Sequence, residues 1–531
     1  MAVSHQWFVQ WSPPATLFTE IKQNFGHVEP DYGYKWDYSD APRTSDPVKV
    51  SVDSDYGLRT FYNHRVKHRF RNGYNKKYGY NSPDATRSED DARTRVSGLA
   101  LWLAMLGVAR AQVAADADTP PFTTLYKWKQ VDFEFPTPQH RHHALVTGKY
   151  VPSNVLPLGL EVWGSRVFLT FPRWRPGVPA TLGSVPRAGG VPSPAVKPYP
   201  SWEYHRSFSD VLNCTGLTSV FRVSADLCGR LWVLDSGQID VQDNAKQICP
   251  PSLLVFDLNT DKLLARYVIP QEYVLQNSLY SALVVDARRH DCSDLHVYMA
   301  DPWRFGLLVF RQKDMQFWRF THHLFFPDPI AANFTLHDLN FRWTDGIFGL
   351  ALTEVKDDLS DRILFFHSLA GHLEFYVSTA ALKKQEMVNN SMNEFNIVGE
   401  RGPLGQASSS AVDRRGVMYF GLVSRDSVGC WDTRKPFQKG ALGIVAQNTE
   451  TLIFPNDIKI DQGSNQILWV ISNRLPMFQA KQLDQDEYNY RLLFVSTEEA
   501  VRGTVCDPQV SFTPPQEVIS GHKTGWWPSI L

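Results

Sequence analysis

One strand-like word is printed six times along this chain, and that repetition narrows the folds open to it. Each copy is a polar or glycine-containing turn followed by a β-branched and aromatic run: 165–171 (SRVFLTF), 230–237 (RLWVLDSG), 294–300 (DLHVYMA), 362–367 (RILFFH), 416–422 (GVMYFGL) and 466–471 (QILWVI). Their starts lie roughly 50 to 70 residues apart, the spacing of a repeat built from one antiparallel sheet plus long connections. Several are followed by a second run of the same kind, at 253–257 (LLVFD), 307–311 (LLVFR) and 491–495 (RLLFV). Strand, turn, strand, repeated six times, predicts an all-β fold, a six-bladed β-propeller.

The bulk numbers agree with a large strand-rich core. Of the 531 residues 43% are hydrophobic and 13% aromatic, which is globular rather than disordered composition. A formal net charge of −1, from 54 basic and 55 acidic residues, argues against a global electrostatic partner such as nucleic acid. Any ligand has to be recognised by a local site.

The six cysteines, Cys214, Cys228, Cys249, Cys292, Cys430 and Cys506, all lie in the repeat region and none forms a CxxC pair. An even set without zinc or redox spacing reads as disulfides, hence an oxidising compartment. Three sequons, at Asn213, Asn333 and Asn389, point to the same compartment, so the chain is expected to be secreted and glycosylated. Order alone permits 15 connectivities. Cys430 with Cys506, and Cys228 or Cys214 with Cys292, would each close a loop of about one blade.

Residues 1–92 are polar, with a basic run at 64–77 (HRVKHRFRNGYNKK) and no sustained apolar period. They read as a disordered extension, the basic run being solvated coil rather than a nucleic-acid arm. At 93–111, Arg93 and Arg95 precede the apolar run VSGLALWLAMLGVA, which ends in Ala109-Arg-Ala111. That is the order of a secretory signal, and the run is too short to span a bilayer. Its internal position leaves two readings, residues 1–92 as the cytoplasmic extension of a signal-anchor or, the one favoured, a gene model begun too far upstream with a mature chain starting near Gln112, although no Met lies between Met1 and Met105. The propeller is then assigned to 112–531. Compact blades of about 40–45 residues would fit nine times into that length, but the observed spacing favours six with long loops.

Within it, 128–135 (WKQVDFEF) alternates apolar and polar and is expected to add an outer strand to the last blade, closing the ring. The Pro- and Gly-rich stretch 172–200 reads as a loop between the first two blades, and the tail after Cys506, with four prolines, as a surface strap.

The repeats also carry longer words: RVFLTFPRW (166–174) with GVPATL (177–182), CGRLWVLDSG (228–237), YSALVVD (280–286), TDGIFGLAL (344–352), GERG (399–402) and LWVISNRLP (468–476). With these, in this order, the chain resembles the insect yellow and major royal jelly protein family from about residue 128 to 507. The resemblance implies a secreted, glycosylated six-bladed propeller. It also implies roles in that family that run from cuticle pigmentation and melanin chemistry, including dopachrome conversion, to nutrition and the capture of biogenic amines. Residues before 93 depart from the family pattern.

A propeller's ligand site lies at a mouth of its axial channel. The candidates are polar residues beside inner strands, Asp286, Asp345, Asn456 and Asp457, with aromatic neighbours Trp343, Phe348 and Phe454. A carboxylate next to aromatic faces suits an arylalkylamine or a catechol. The competing reading of each Asp or Asn is a turn cap. Tautomerisation needs a base and a donor to the enolate oxygen. Histidines cluster at His140, His142 and His143, at His322 and His323, and at His337 beside Asp338, none with metal-site spacing, so no metal and no cofactor is expected. There is no GxSxG and no P-loop, which argues against a hydrolase or an NTPase. The expected partner is a small aromatic molecule, catechol, indole or biogenic amine. It would be converted or bound in a pigment pathway, with an amine carrier or a structural, nutritive glycoprotein as the alternatives.

Overall fold

The computed structural model describes residues 121–511 apart from 209–213, 243, 289–290 and 356–359. The expectations for 1–92 and 93–111, the sequon at Asn213 and the tail beyond 511 lie outside the described residues. Among those described, six four-stranded antiparallel sheets form, and each of the six repeated words is the second strand of one of them.

Blade 1 comprises Gly159–Trp163, Arg166–Thr170, Leu182–Pro186 and Lys197–Pro198; blade 2 Val220–Ala225, Arg230–Asp235, Ser252–Asp257 and Leu263–Val268. Blade 3 comprises Ala282–Asp286, His296–Asp301, Gly306–Arg311 and Gln316–Thr321; blade 4 Ile347–Leu352, Ile363–Ser368, Leu373–Ser378 and Asn396–Glu400. Blade 5 comprises Ala407–Val412, Val417–Leu422, Ser427–Asp432 and Leu442–Gln447. Blade 6 takes Pro455–Ile460, Ile467–Ser472 and Tyr490–Ser496 and is completed by Thr123–Trp128 from the other end of the propeller sequence. The first strand of every blade packs on the first strand of the next, and blade 6 on blade 1, so the ring is closed. Second strands are buried almost throughout because both sheet faces meet a neighbouring blade. This is why their sequences run apolar without alternation.

The closing strand is displaced from expectation. Of 128–135 only Trp128 belongs to it. Val131 and Phe133 turn inward against blade 1 instead, where Val196 donates to the Asp132 carbonyl and Glu134 to the Val196 carbonyl. The alternation there is satisfied by a bridge rather than a ladder. The 172–200 stretch also differs from a plain loop, since it holds the third and fourth strands of blade 1. Its prolines sit where a missing N–H is tolerated: Pro186 closes one strand, and Pro198 lies in the two-residue edge strand.

A carboxylate recurs after the inner strand. Asp226 accepts from the Cys228 and Arg230 amides, from the Arg230 guanidinium at 2.7 Å and from the Trp232 indole at 2.8 Å. Asp413 does the same for the Arg415 and Val417 amides and the Tyr419 hydroxyl, and Asp461 for the Ile467 amide and the Trp469 indole. Each fastens the first turn of its blade to the aromatic residue of the second strand, so the polar tip of a large buried side chain is satisfied.

Three disulfides form, Cys214–Cys249, Cys228–Cys292 and Cys430–Cys506. The first ties the segment leading into blade 2 to that blade's own long loop. Cys228–Cys292 joins the first turns of blades 2 and 3, and Cys430–Cys506 fastens the chain after the last strand to blade 5.

Candidate functional site

The first strands start together at one mouth of the ring, called the upper mouth here, and end at the other. The loops at the upper mouth are long, and several of them carry extra elements. A hairpin of Asn333–Leu336 and Leu339–Arg342 rises between blades 3 and 4 and reaches over blades 5 and 6. It is held by Gln406, whose amide nitrogen donates to the Ala331 carbonyl at 3.1 Å. Its apolar positions alternate inward, burying Phe334 and Leu336 while Asn333 and Thr335 face solvent.

Five of the expected residues meet here: Trp343, Phe348, Phe454, Asn456 and Asp457. Phe334 stacks on Phe341 at 5.3 Å, Phe341 contacts Trp343 at 4.7 Å, and Trp343 stands edge-on to Phe454 at 5.7 Å, an aromatic wall of favourable geometry. On the axis itself Arg222 of blade 2 forms a buried ion pair with Asp457 of blade 6. The guanidinium also donates to the Asn456 carbonyl at 2.8 Å and lies 5.6 Å from the ring of Phe348 of blade 4. Alternate blades thus converge on one charged plug. Asp457 in addition accepts from the Leu160 and Ile458 amides at 2.9 and 3.0 Å, and Asn456 donates to the Leu158 carbonyl. Burial pushes the Arg222 guanidinium below its ordinary range, with Asp457 opposing.

Among the buried polar atoms without a protein partner, four lie on residues in or close to the inner strands or in the loops above them. They are the Nε of Arg222, the indole nitrogen of Trp174, Oε1 of Gln406 and the hydroxyl of Ser281, on residues that are all buried. Trp174 packs 5.9 Å from Phe221, the neighbour of Arg222.

Asp286 is not with the others. It ends the first strand of blade 3 at the lower mouth, where Lys383 at 3.1 Å, Arg362 at 3.5 Å and the Tyr298 hydroxyl engage it. A position after an inner strand places a residue at the far mouth, whereas one before it places it at the near one; sequence adjacency to the strand does not distinguish the two. Asp345 lies between Trp343 and blade 4, half-buried, its carbonyl accepting from Ala370. The lower mouth holds a cavity of about 180 Å³ lined by residues of all six blades, among them Glu161, Ser410, Arg414 and Lys459. Burial raises the pKa of the Glu161 carboxyl, against the nearby Lys459. The lining begins below Arg222 and Asp457, so the plug separates this cavity from the aromatic wall.

The histidine clusters disperse. His140, His142 and His143 are exposed on the helix Pro138–Val146; His322 caps a short helical turn. His337 pairs with Asp426 of blade 5, at 3.0 Å, rather than with its neighbour Asp338. Among the described residues no group of three or more His, Cys, Asp or Glu side chains could hold a metal. Arg222 was missed by reading for acids, yet an arginine inside the apolar strand VFRVSA was a visible signal. Asp426 carried none.

These features define a closed six-bladed propeller whose upper mouth is covered by a largely buried aromatic cluster. The chain belongs to the major royal jelly protein family, whose family model matches residues 218–506. It is 41% identical over 394 residues to a dopaminechrome tautomerase of Drosophila melanogaster, covering 73% of this chain and 84% of that one. It is 35% identical over 436 residues to protein yellow of Drosophila subobscura, covering 80% and 76%. Protein yellow of Drosophila melanogaster is 36% identical over 401 residues, covering 75% and 73%.

Proposed function

We propose that this protein is a secreted isomerase of pigment chemistry that takes a quinonoid product of a catecholamine, of the dopaminechrome type, at the upper mouth. The observation that carries the reading is the buried Arg222–Asp457 plug beneath the aromatic wall. The flat ring of the substrate stacks against the half-buried Trp343, which Phe454 backs from the core, while the unpartnered Nε–H of Arg222 supplies a fixed donor to a quinone oxygen on which charge develops. An Arg already neutralised by Asp457 can do this without a net buried charge. The relative named dopaminechrome tautomerase supports the reaction class. Three disulfides and the exposure of Asn333 and Asn389 support secretion, and no helix among the described residues is long and apolar enough to cross a membrane.

Carriage of an intact amine is the less favoured reading, because the axial carboxylate of Asp457 is occupied by Arg222 and two amides and is not offered to an ammonium group.

The test follows dopaminechrome decay and the heat of catecholamine binding with purified protein. Turnover that persists after dialysis against chelator, with KM raised several-fold in Trp343→Ala, supports the isomerase. Saturable heat without turnover supports the carrier, and the absence of both leaves a structural role.

A further inference from the structure

The hairpin over the upper mouth ends in a residue that the aromatic wall does not explain. His337 sits at its tip with φ of 52°, the positive value that the first position of a two-residue hairpin loop requires. From there its Nε2 meets Oδ2 of Asp426 at 3.0 Å, with the His side chain 34% exposed and the Asp side chain 9%. The other carboxylate oxygen of Asp426 is buried and has no side-chain or backbone bond of good geometry. Burial raises the Asp426 carboxyl, and His337 and the Phe454 amide oppose that rise. Phe454 is the residue that Trp343 meets edge-on, so the pair stands beside the aromatic wall. A histidine whose one nitrogen is held by a buried carboxylate, and whose ring reaches a mouth, is arranged as a proton acceptor.

Resting on the reading of the upper mouth as an isomerase site, we infer that His337, oriented by Asp426, is the base that takes the carbon-bound proton of the quinonoid substrate. The imidazole removes a proton from a saturated carbon of the five-membered ring. The electron pair of that C–H bond forms a C=C to the adjoining ring-junction carbon, giving a quinone methide, and the quinone system takes up the displaced electrons at the oxygen facing Arg222. That oxygen gains a proton from water, and the imidazolium returns its own proton to water. One proton leaves carbon and one arrives at oxygen, so the product is an isomer and no oxidant is consumed. Asp426 is a positioning residue, because it holds the ring and compensates the imidazolium without touching the substrate.

The alternative is a latch that merely pins the hairpin tip to blade 5, and chemical rescue separates the two. His337→Gly suits the left-handed backbone and leaves room for free imidazole; His337→Asn, also tolerant of that conformation, serves as the second variant. With dopaminechrome as the probe, both are expected to lose about 100-fold or more in kcat, with KM within about threefold of wild type. Added imidazole should restore turnover to the glycine variant alone. Asp426→Asn should lower kcat at nearly constant KM and not respond to imidazole. The inference is overturned if either His337 variant turns over within about threefold of wild type, or if the loss is a rise in KM that imidazole does not reverse. A wild-type protein without turnover overturns the function and the base together, whereas active wild type with an equally active glycine variant overturns the base alone.

Discussion

His205 shows what single residues contribute here. It is buried in the segment before blade 2, where its Nε2 donates to the Tyr199 carbonyl and its Nδ1 accepts from the Thr181 amide, which defines a neutral ring. Burial, with Arg173 nearby, pushes its pKa from 6.5 down to about 3. Between those values the unfolded chain binds a proton that the folded chain refuses, so stability falls as pH falls through that window and is fully present above the ordinary value. His296, lowered to about 4 chiefly by burial, acts in the same direction. Each costs up to about 1.4 kcal/mol per pH unit inside its window. Urea unfolding at about pH 7 and about pH 5 should show that loss, and His205→Gln should remove its share of the slope. None of this was legible in the sequence: the residue alone does not say whether its nitrogens will meet a carbonyl and an amide or water. Arg222 was partly legible, because a charged side chain inside an apolar strand demands a partner, but the partner lies 235 positions away in the chain, at Asp457.

At the scale of the element, the blade is held by its first turn. The carboxylate of Asp226 serves two amides, a guanidinium and the indole of the fully buried Trp232. Asp226→Ala strands all four donors and should destabilise the protein by about 3–5 kcal/mol, the range for removing one partner of a buried charged pair, measured as a shift in the urea midpoint at unchanged slope. Turn capping is what Asp226, Asp413 and Asp461 do after their inner strands, whereas Asp286, one of the expected site residues, meets the Tyr298 hydroxyl, Arg362 and Lys383 instead. The aromatic words of the second strands were readable because a strand buried on both faces needs no alternation. The two short outer strands of blade 1 were not, because an edge strand tolerates the prolines that otherwise signal a loop.

At the scale of the molecule, closure depends on Thr123–Trp128 pairing with Tyr490–Ser496 along the whole strand. Without it, blade 6 presents an open edge, and Trp128, 1% exposed, loses its packing. A chain trimmed to start at Gln130 should therefore aggregate or unfold at markedly lower temperature than one that keeps the strand, as read by light scattering and calorimetry. Cys430–Cys506 cannot substitute for it, since it ties the chain after the last strand to blade 5 and not to the closing strand.

By itself the sequence determined the number of blades, the identity of their buried second strands and the presence of cross-links, because these follow from local periodicity and composition, which a strand carries wherever it is placed. Only the tertiary structure decided which mouth a side chain serves, that Arg222 plugs the axis on Asp457, and that His337 answers to Asp426 and not to Asp338. Those relations join residues of different blades, and the ring that brings them within hydrogen-bond reach exists only once all six sheets have closed.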